Sequence, residues 1–322
     1  MNQEAFEQQY QLRWELLERE LEHPSSDARD TLPRLYRETC SHLALAKRRR
    51  YSPALLDRLN DLATRSYFQL YGANRRHKRQ WLNFIVIDFP AAIARNGKLV
   101  ALSAALFVLP LLAMGLAAYF NSDIIYSMFD PSSVRGFESM YDPDNRKIGR
   151  ERDSEDDWMM FCYYIYNNIG IAFRTFATGL LFGTGSVFFL VYNGLAIGGI
   201  GGHISRVGYE ETFFPFVVGH GAPELTAIVL SGAAGLKIGL ALLSPGHFTR
   251  LTALRLAARE AATIVYGAGL LLVLAAALEA FWSSQAGVPP AVKYTVGALL
   301  WVLTLTYLFS GVRIQRRWKS TN

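Results

Sequence analysis

Polar and ionisable side chains that could bind a ligand or move a proton lie inside long apolar stretches of this sequence. Residues 159–312 of the 322-residue chain carry only 12 Asp, Glu, Lys or Arg residues. Polar groups at such positions are costly in lipid, so they face a bundle interior or a water-filled cavity. The candidates are Asn167, Asn168, Arg174, Asn193, His220 and Glu224.

Glu224 is the most informative of these residues. It follows Pro223, which predicts the first turn of a helix, where the helix dipole favours an anion. The carboxylate is then either a helix-start acid bonded to free N–H groups, or part of a broken helix that lines a cavity, as in transporters. Arg174 lies near the middle of an apolar stretch and needs a partner, and Glu224 is one candidate. We expect Lys237 to snorkel and Glu279 to lie at an interface.

His220 and Glu224 are spaced i, i+4, which suits two metal ligands on one helix. The intervening Gly221-Ala222-Pro223 predicts that no continuous helix joins them. The sequence has no His-Glu-x-x-His, Cys-x-x-Cys, Walker or Gly-x-Ser-x-Gly motif. We therefore expect no metal site, no cofactor, no catalytic residue and no enzymatic activity.

Glycines and one serine recur at helical spacing in the same region. Small residues four apart let helix backbones approach closely in a membrane. The alternatives are packing within the chain, which we expect for most of them, and a dimer seam or a moving helix pair. The small residues at this spacing are Gly179, Gly183, Gly194, Gly198, Gly202, Ser231, Gly235 and Gly239.

The elements that position these residues are predicted membrane spans. The first, Leu99–Phe120, has 22 residues without a charge and crosses a hydrocarbon core of about 30 Å. A break at Gly183-Thr184-Gly185 divides the longest apolar region into two spans. We predict an all-α polytopic membrane domain, 99–312, with six spans, five or seven being the alternatives. The spans are 99–120, 160–182, 186–203, 224–243, 261–282 and 292–312.

The distribution of charge predicts the topology. Residues 1–98 hold 17 basic and 12 acidic residues, whereas 121–158 hold five basic and ten acidic ones. The positive-inside rule therefore places the loop 121–158 outside, and 1–98, the loop 244–260 and the tail 313–322 in the cytosol. The net charge of +6 follows from this arrangement, so we expect no nucleic-acid partner.

The N-terminal region precedes the first span. Apolar stripes, Phe6 to Leu21, Leu32 to Leu43 and Leu55 to Tyr67, predict a three-helix cytosolic bundle within 1–80, the third helix being capped by Ser52-Pro53. A basic cluster then precedes an aromatic-apolar segment, 81–98. This pattern fits lipid headgroups better than nucleic acid and predicts an interfacial helix. The headgroup candidates are Arg75, Arg76, Lys78, Arg79 and Trp81.

Several strings together resemble a known family. They are Asn167-Asn168, Asn193-Gly194, and His220-Gly221-x-x-Glu224 running into Ser231-Gly232-Ala233-Ala234-Gly235-Leu236. This pattern resembles the stage II sporulation protein M family of bacterial membrane proteins, in the longer form that has an N-terminal domain. The resemblance implies the bacterial inner membrane and a role in a membrane assembly. It also implies MoxR-type AAA ATPases and von Willebrand factor A proteins as possible partners.

Two functions follow as hypotheses. The first is a non-enzymatic membrane scaffold that forms a homodimer or higher oligomer and recruits partners through its N-terminal helices. The second is a transporter or channel with a polar path lined by Asn167, Asn168, Arg174, His220 and Glu224. Convergence of these side chains into one cavity would favour transport, and separate pairing would favour the scaffold.

Overall fold

The computed structural model describes residues 1–22, 28–71, 80–144, 154–285 and 287–321, and these form eleven α-helices. The helices are α1 Gln3–Glu22, α2 Ala28–Arg49, α3 Pro53–Tyr71, α4 Phe89–Arg95, α5 Gly97–Phe120, α6 Pro131–Tyr141, α7 Ser154–Ala177, α8 Thr184–Arg206, α9 Glu210–Leu243, α10 Arg250–Leu278 and α11 Pro290–Thr321. Two π-helical turns, Phe84–Asp88 and Glu279–Ser283, precede α4 and follow α10. The predicted all-α class is confirmed.

The N-terminal unit, Met1–Leu82, contains α1, α2 and α3. The predicted stripes supply its core, which includes Phe6, Trp14 and Leu59, and the Ser52 hydroxyl accepts a hydrogen bond from the backbone N–H of Leu55 at 3.4 Å. Tyr67, predicted to belong to the third stripe, is instead 51% exposed. The helical period that buries Leu59 and Leu62 reaches Ser66, whose hydroxyl donates to the Leu62 carbonyl at 2.6 Å.

The second unit, Asn83–Asn322, is a helical membrane domain. Five described helices are long and apolar enough to cross a membrane, judged by length and composition. The predicted second span, 160–182, corresponds mainly to α7, which is not among these five. The candidate spans are Gly97–Phe120, Thr184–Arg206, Glu210–Leu243, Arg250–Ser283 and Pro290–Arg313.

The helices α5 and α8 lie side by side along what we call the first glycine seam. A Cβ atom at Gly194 would collide with the Phe107 carbonyl oxygen, one at Gly198 with that of Leu111, and one at Gly202 with that of Gly115. Both partners advance by four residues at each step, so the two helices run in the same direction. The chain must therefore return between them, and α7 is the long helix available for that return.

The second glycine seam joins the end of α7 and the start of α8 to α9. Gly179 lies against Gly235, and Gly183, which adopts a left-handed φ of 84°, lies against Gly239. Ser231 is also buried. Both glycine faces are thus occupied by helices of the same chain.

The predicted break at Gly219-His220-Gly221-Ala222-Pro223 is wrong. These residues lie inside α9, which is continuous from Glu210 to Leu243. Gly219 serves a close approach instead, because a Cβ there would lie 2.5 Å from the Trp282 ring and 2.9 Å from the Ser283 hydroxyl. Pro223 removes one N–H donor from the helix, and the surrounding packing keeps the helix intact.

The predicted interfacial segment, 81–98, is only partly exposed. Phe89 and Ile93 in α4 are buried, and the Phe89 ring packs against Gly267 of α10, where a Cβ would collide with it. Trp81 is 58% exposed, and its contact with lipid stays a prediction. The basic residues predicted to meet headgroups, Arg75, Arg76, Lys78 and Arg79, lie outside the described residues.

Candidate functional site

Three ionisable side chains from α9 and the turn after α10 meet at one place. We call His220, Glu224 and Glu279 the His-Glu cluster; one ligand atom from each lies within 4.8 Å of the other two. His220 Nε2 lies 3.7 Å from Glu224 Oε2. The other ring nitrogen, Nδ1, lies 3.2 Å from the hydroxyl oxygen of Ser283. The continuity of α9 places the first two residues on one face, one turn apart.

Aromatic side chains cover the His-Glu cluster on the side of α6. The Tyr141 ring packs against Phe216 at 6.1 Å, and Phe216 packs against the His220 imidazole at 5.3 Å between ring centroids. Burial raises the pKa of Tyr141 well above its usual range. The loop that contains α6 therefore closes over the end of the bundle where the cluster lies.

A second charged group lies further along α9. Lys237 contacts the Glu260 carboxylate and donates to Asn96 Oδ1 at 2.7 Å, while Arg95 Nε donates to Glu260 Oε1 at 2.6 Å. We call these four residues the Lys-Glu network. Lys237 follows Glu224 by thirteen positions on α9, so the two residues lie about 20 Å apart along the helix axis. The expectation that Lys237 snorkels is replaced by this paired arrangement.

The other polar candidates bond locally. Arg174 Nε donates to the Gly170 carbonyl at 3.0 Å, and Asn193 Nδ2 donates to the Phe189 carbonyl at 2.6 Å, each within its own helix. Asn167 Nδ2 donates to Asn168 Oδ1 at 3.1 Å. Of the predicted candidates, the structure therefore brings His220 and Glu224 together, and Asn167 contacts only its neighbour Asn168.

Arg174 does not pair with Glu224. The neighbouring Thr175 carbonyl lies at the level of Gly235, where an added Cβ would be 3.0 Å from the carbonyl oxygen. Glu224 precedes Gly235 by eleven residues on α9, or about 16 Å. The side chain of Arg174 is exposed, as expected for a cation near the end of its helix.

Comparison with known families assigns most of the membrane unit. The family model described as stage II sporulation protein M matches residues 102–284, which is 183 of the 322 residues. The chain belongs to the stage II sporulation protein M family. Residues 4–72 match a model described as a domain of unknown function. No curated protein and no solved structure matches the chain.

The stage II sporulation protein M region contains the His-Glu cluster and both glycine seams. Sequence reasoning had identified His220 and Glu224 but treated Glu279 as interfacial and missed Ser283. The helical phase could have paired His220 with Glu224, since an uninterrupted α9 puts both residues on one face. It carries no information on Glu279 or Ser283, which lie in another segment. Glu260, the partner of Lys237, was likewise missed, because the sequence places it only at the end of the predicted loop 244–260.

Proposed function

We propose that this member of the stage II sporulation protein M family is a non-enzymatic scaffold of the bacterial inner membrane. Its N-terminal unit and its C-terminus lie in the cytosol, and the loop 121–158 lies outside. The family match and the helical membrane domain support a membrane role. The scaffold role extends that finding.

The observation that carries the proposal is the separation of the polar groups. The His-Glu cluster and the Lys-Glu network lie about 20 Å apart along α9. Between them α9 buries mainly apolar and small residues, such as Ala227, Leu230 and Ala234, and its two buried polar side chains at this level are the hydroxyls of Thr226 and Ser231. A transport path needs polar or water-lined steps through that distance. Packing at this level that is mainly apolar and contains no ionisable side chain of α9 favours a scaffold over a transporter or channel.

Self-association remains part of the proposal, but the glycine faces do not supply it. Both glycine seams are formed within one chain. A homodimer or higher oligomer would therefore use other surfaces of the membrane domain.

The N-terminal unit offers a surface for cytosolic partners. Its core is complete, yet Leu12 and Phe68 remain 68% and 65% exposed. Contiguous exposed apolar patches, rather than single residues, mark protein-binding surfaces, and these two side chains are the positions at which we place such a surface. We propose that this unit binds MoxR-type AAA ATPases and von Willebrand factor A proteins.

Site-specific photo-crosslinking tests the scaffold role. A photoreactive phenylalanine analogue is placed at Leu12 or Phe68, and at Met140 of α6 as a matched control that is 53% exposed. We expect crosslinks to the ATPase from the first two positions and none from Met140. Liposomes that contain the purified protein should also show no more ion or solute flux than liposomes without protein. Flux through the wild-type chain, without crosslinks at either N-terminal position, would contradict the scaffold and favour transport.

A further inference from the structure

We propose that His220, Glu224 and Glu279 bind one divalent first-row transition-metal cation of the zinc type. The three residues belong to the stage II sporulation protein M region, but the site is argued from their geometry alone. One nitrogen and two carboxylate oxygens lie within 4.8 Å of one another. The inference is independent of the scaffold role and goes beyond it.

The imidazole of His220 is oriented for such a ligand. Ser283 contacts Nδ1 at 3.2 Å, and this contact fixes the ring and leaves Nε2 directed at Glu224. Metal-binding histidines commonly use their second nitrogen in this way. His220 is only 5% exposed, and its Nε2 lies 3.7 Å from Glu224, which is longer than a hydrogen bond.

That spacing suits a shared cation. Two ligand atoms about 2.1 Å from one tetrahedral zinc ion lie about 3.4 Å apart. The third ligand atom lies within 4.8 Å of the other two, so binding of an ion would require the glutamate side chains to turn toward it. The protein would then supply three ligands and leave one position for a water molecule.

Among the described residues, no lysine or arginine pairs with the carboxyl groups of the cluster. Glu279 makes no hydrogen bond or ion pair within the described part of the chain, and the one ion-pair partner of Glu224 there is His220. Lys293 of α11 forms no ion pair with either carboxylate, and its ammonium group donates instead to the backbone carbonyl of Ser283 at 2.8 Å. Two carboxylates held together beneath aromatic side chains are stabilised by a doubly charged ion between them.

The donor set defines the class of metal. An imidazole nitrogen with carboxylate oxygens suits zinc or manganese, whereas calcium and magnesium prefer oxygen alone and copper(I) prefers sulfur. A bound ion would link α9 to the π-helical turn after α10. We therefore expect the metal to raise the melting temperature of the protein.

The test uses the full chain in detergent with an affinity tag that lacks histidine. After chelator treatment, the protein is loaded with zinc, desalted, and assayed by elemental mass spectrometry. We expect about one zinc per chain. Replacement by cobalt should give visible d–d absorption bands typical of nitrogen and oxygen ligands. No zinc above a protein-free detergent blank would overturn the proposal.

Variants locate the ion. His220→Gln and Glu279→Gln should lose stoichiometric zinc, and Ser283→Ala should weaken binding by about 10–100-fold. The matched control is Glu138→Gln, because Glu138 contacts a different histidine, His203, at 2.8 Å; this variant should keep its zinc. Folded His220 and Glu279 variants that retain wild-type zinc would refute the assignment. Where those variants fail to fold, the wild-type cobalt spectrum decides: its bands support the site and their absence refutes it.

Discussion

The first glycine seam makes a quantitative prediction about Gly198. A methyl group there would meet the carbonyl oxygen of Leu111, and its Cβ would lie 2.8 Å and 2.9 Å from that residue's C and Cα atoms. Ordinary contacts of this kind begin at 3.4 Å, and the obstacle is backbone that cannot rotate away. The helices α5 and α8 must separate by an appreciable part of an ångström.

The magnitude of the effect follows from that separation. A gap of 0.5–1 Å forfeits about a quarter to a half of the dispersion energy of each contact along the seam. Overpacking of this kind costs about 1–3 kcal/mol, which exceeds the gain of about 0.5–1 kcal/mol from replacing glycine by alanine in a helix. Gly198→Ala should therefore destabilise the folded chain.

Thermal unfolding in detergent at one scan rate measures this prediction. Gly198→Ala should lower the apparent melting temperature by about 2–10 °C. The matched control is Gly269→Ala in α10, since a Cβ at Gly269 meets nothing within 4 Å; it should melt at or slightly above the wild-type temperature. The folded Gly198 variant should keep its oligomeric size, because the seam is internal. Equal melting of the two variants, or a change of oligomeric size alone, would refute the reasoning.

Three further predictions test the topology, the N-terminal core and the polar residues. In a chain whose native cysteines are replaced, Ser122→Cys should react with an impermeant thiol reagent in intact cells; reaction only after permeabilisation would reverse the topology. His42 accepts a hydrogen bond from Trp14 at 3.1 Å, and burial lowers the pKa of His42 below its ordinary value of 6.5. The unfolded chain therefore binds the proton more readily, so the N-terminal unit keeps its full stability above pH 6.5 and loses it as the pH falls. Hydrogen exchange of α1–α3, corrected for intrinsic rates, should show this loss, and His42→Asn, which keeps an acceptor without titrating, should abolish it; an unchanged pH dependence would contradict it. Finally, Arg174→Gln should not rescue any melting defect of Glu224→Gln, because residues about 16 Å apart contribute additively; a coupling above about 0.5 kcal/mol would contradict the separation.

Local sequence signals predicted the elements whose structure depends on neighbouring residues. The three N-terminal helices follow from apolar periodicity and from the Ser52 cap. The break at Gly183 follows from a residue that adopts a positive φ. The close packing at Gly198 and Gly235 follows from small residues spaced by four. No local pattern in the sequence identified which helices pack against these glycines.

Contacts between distant residues account for what the sequence reasoning missed. Gly219 and Gly221 suggested a break, but Gly219 accommodates Trp282, 63 residues further along the chain. Glu279 joins His220 because the antiparallel packing of α9 and α10 brings their ends together. A pattern within either segment carries no information on that register, so two ligands were visible and the third was not.

The role of α7 shows how packing supplies what hydropathy lacks. Asn167, Asn168 and Arg174 make α7 more polar than the five candidate spans. Yet α5 and α8 are parallel neighbours, and a chain that crosses a membrane twice in one direction must cross back between them. Trp158 near the start of α7 packs against Phe281, and the residues after its end reach Gly239. Those contacts lie at the levels of Gly219 and Gly239 on α9, about 30 Å apart, the thickness of a hydrocarbon core. If α7 is counted, as we propose, the chain makes six crossings, and an even number would place both ends on the same side, as the positive-inside rule predicts for 1–98 and 313–322.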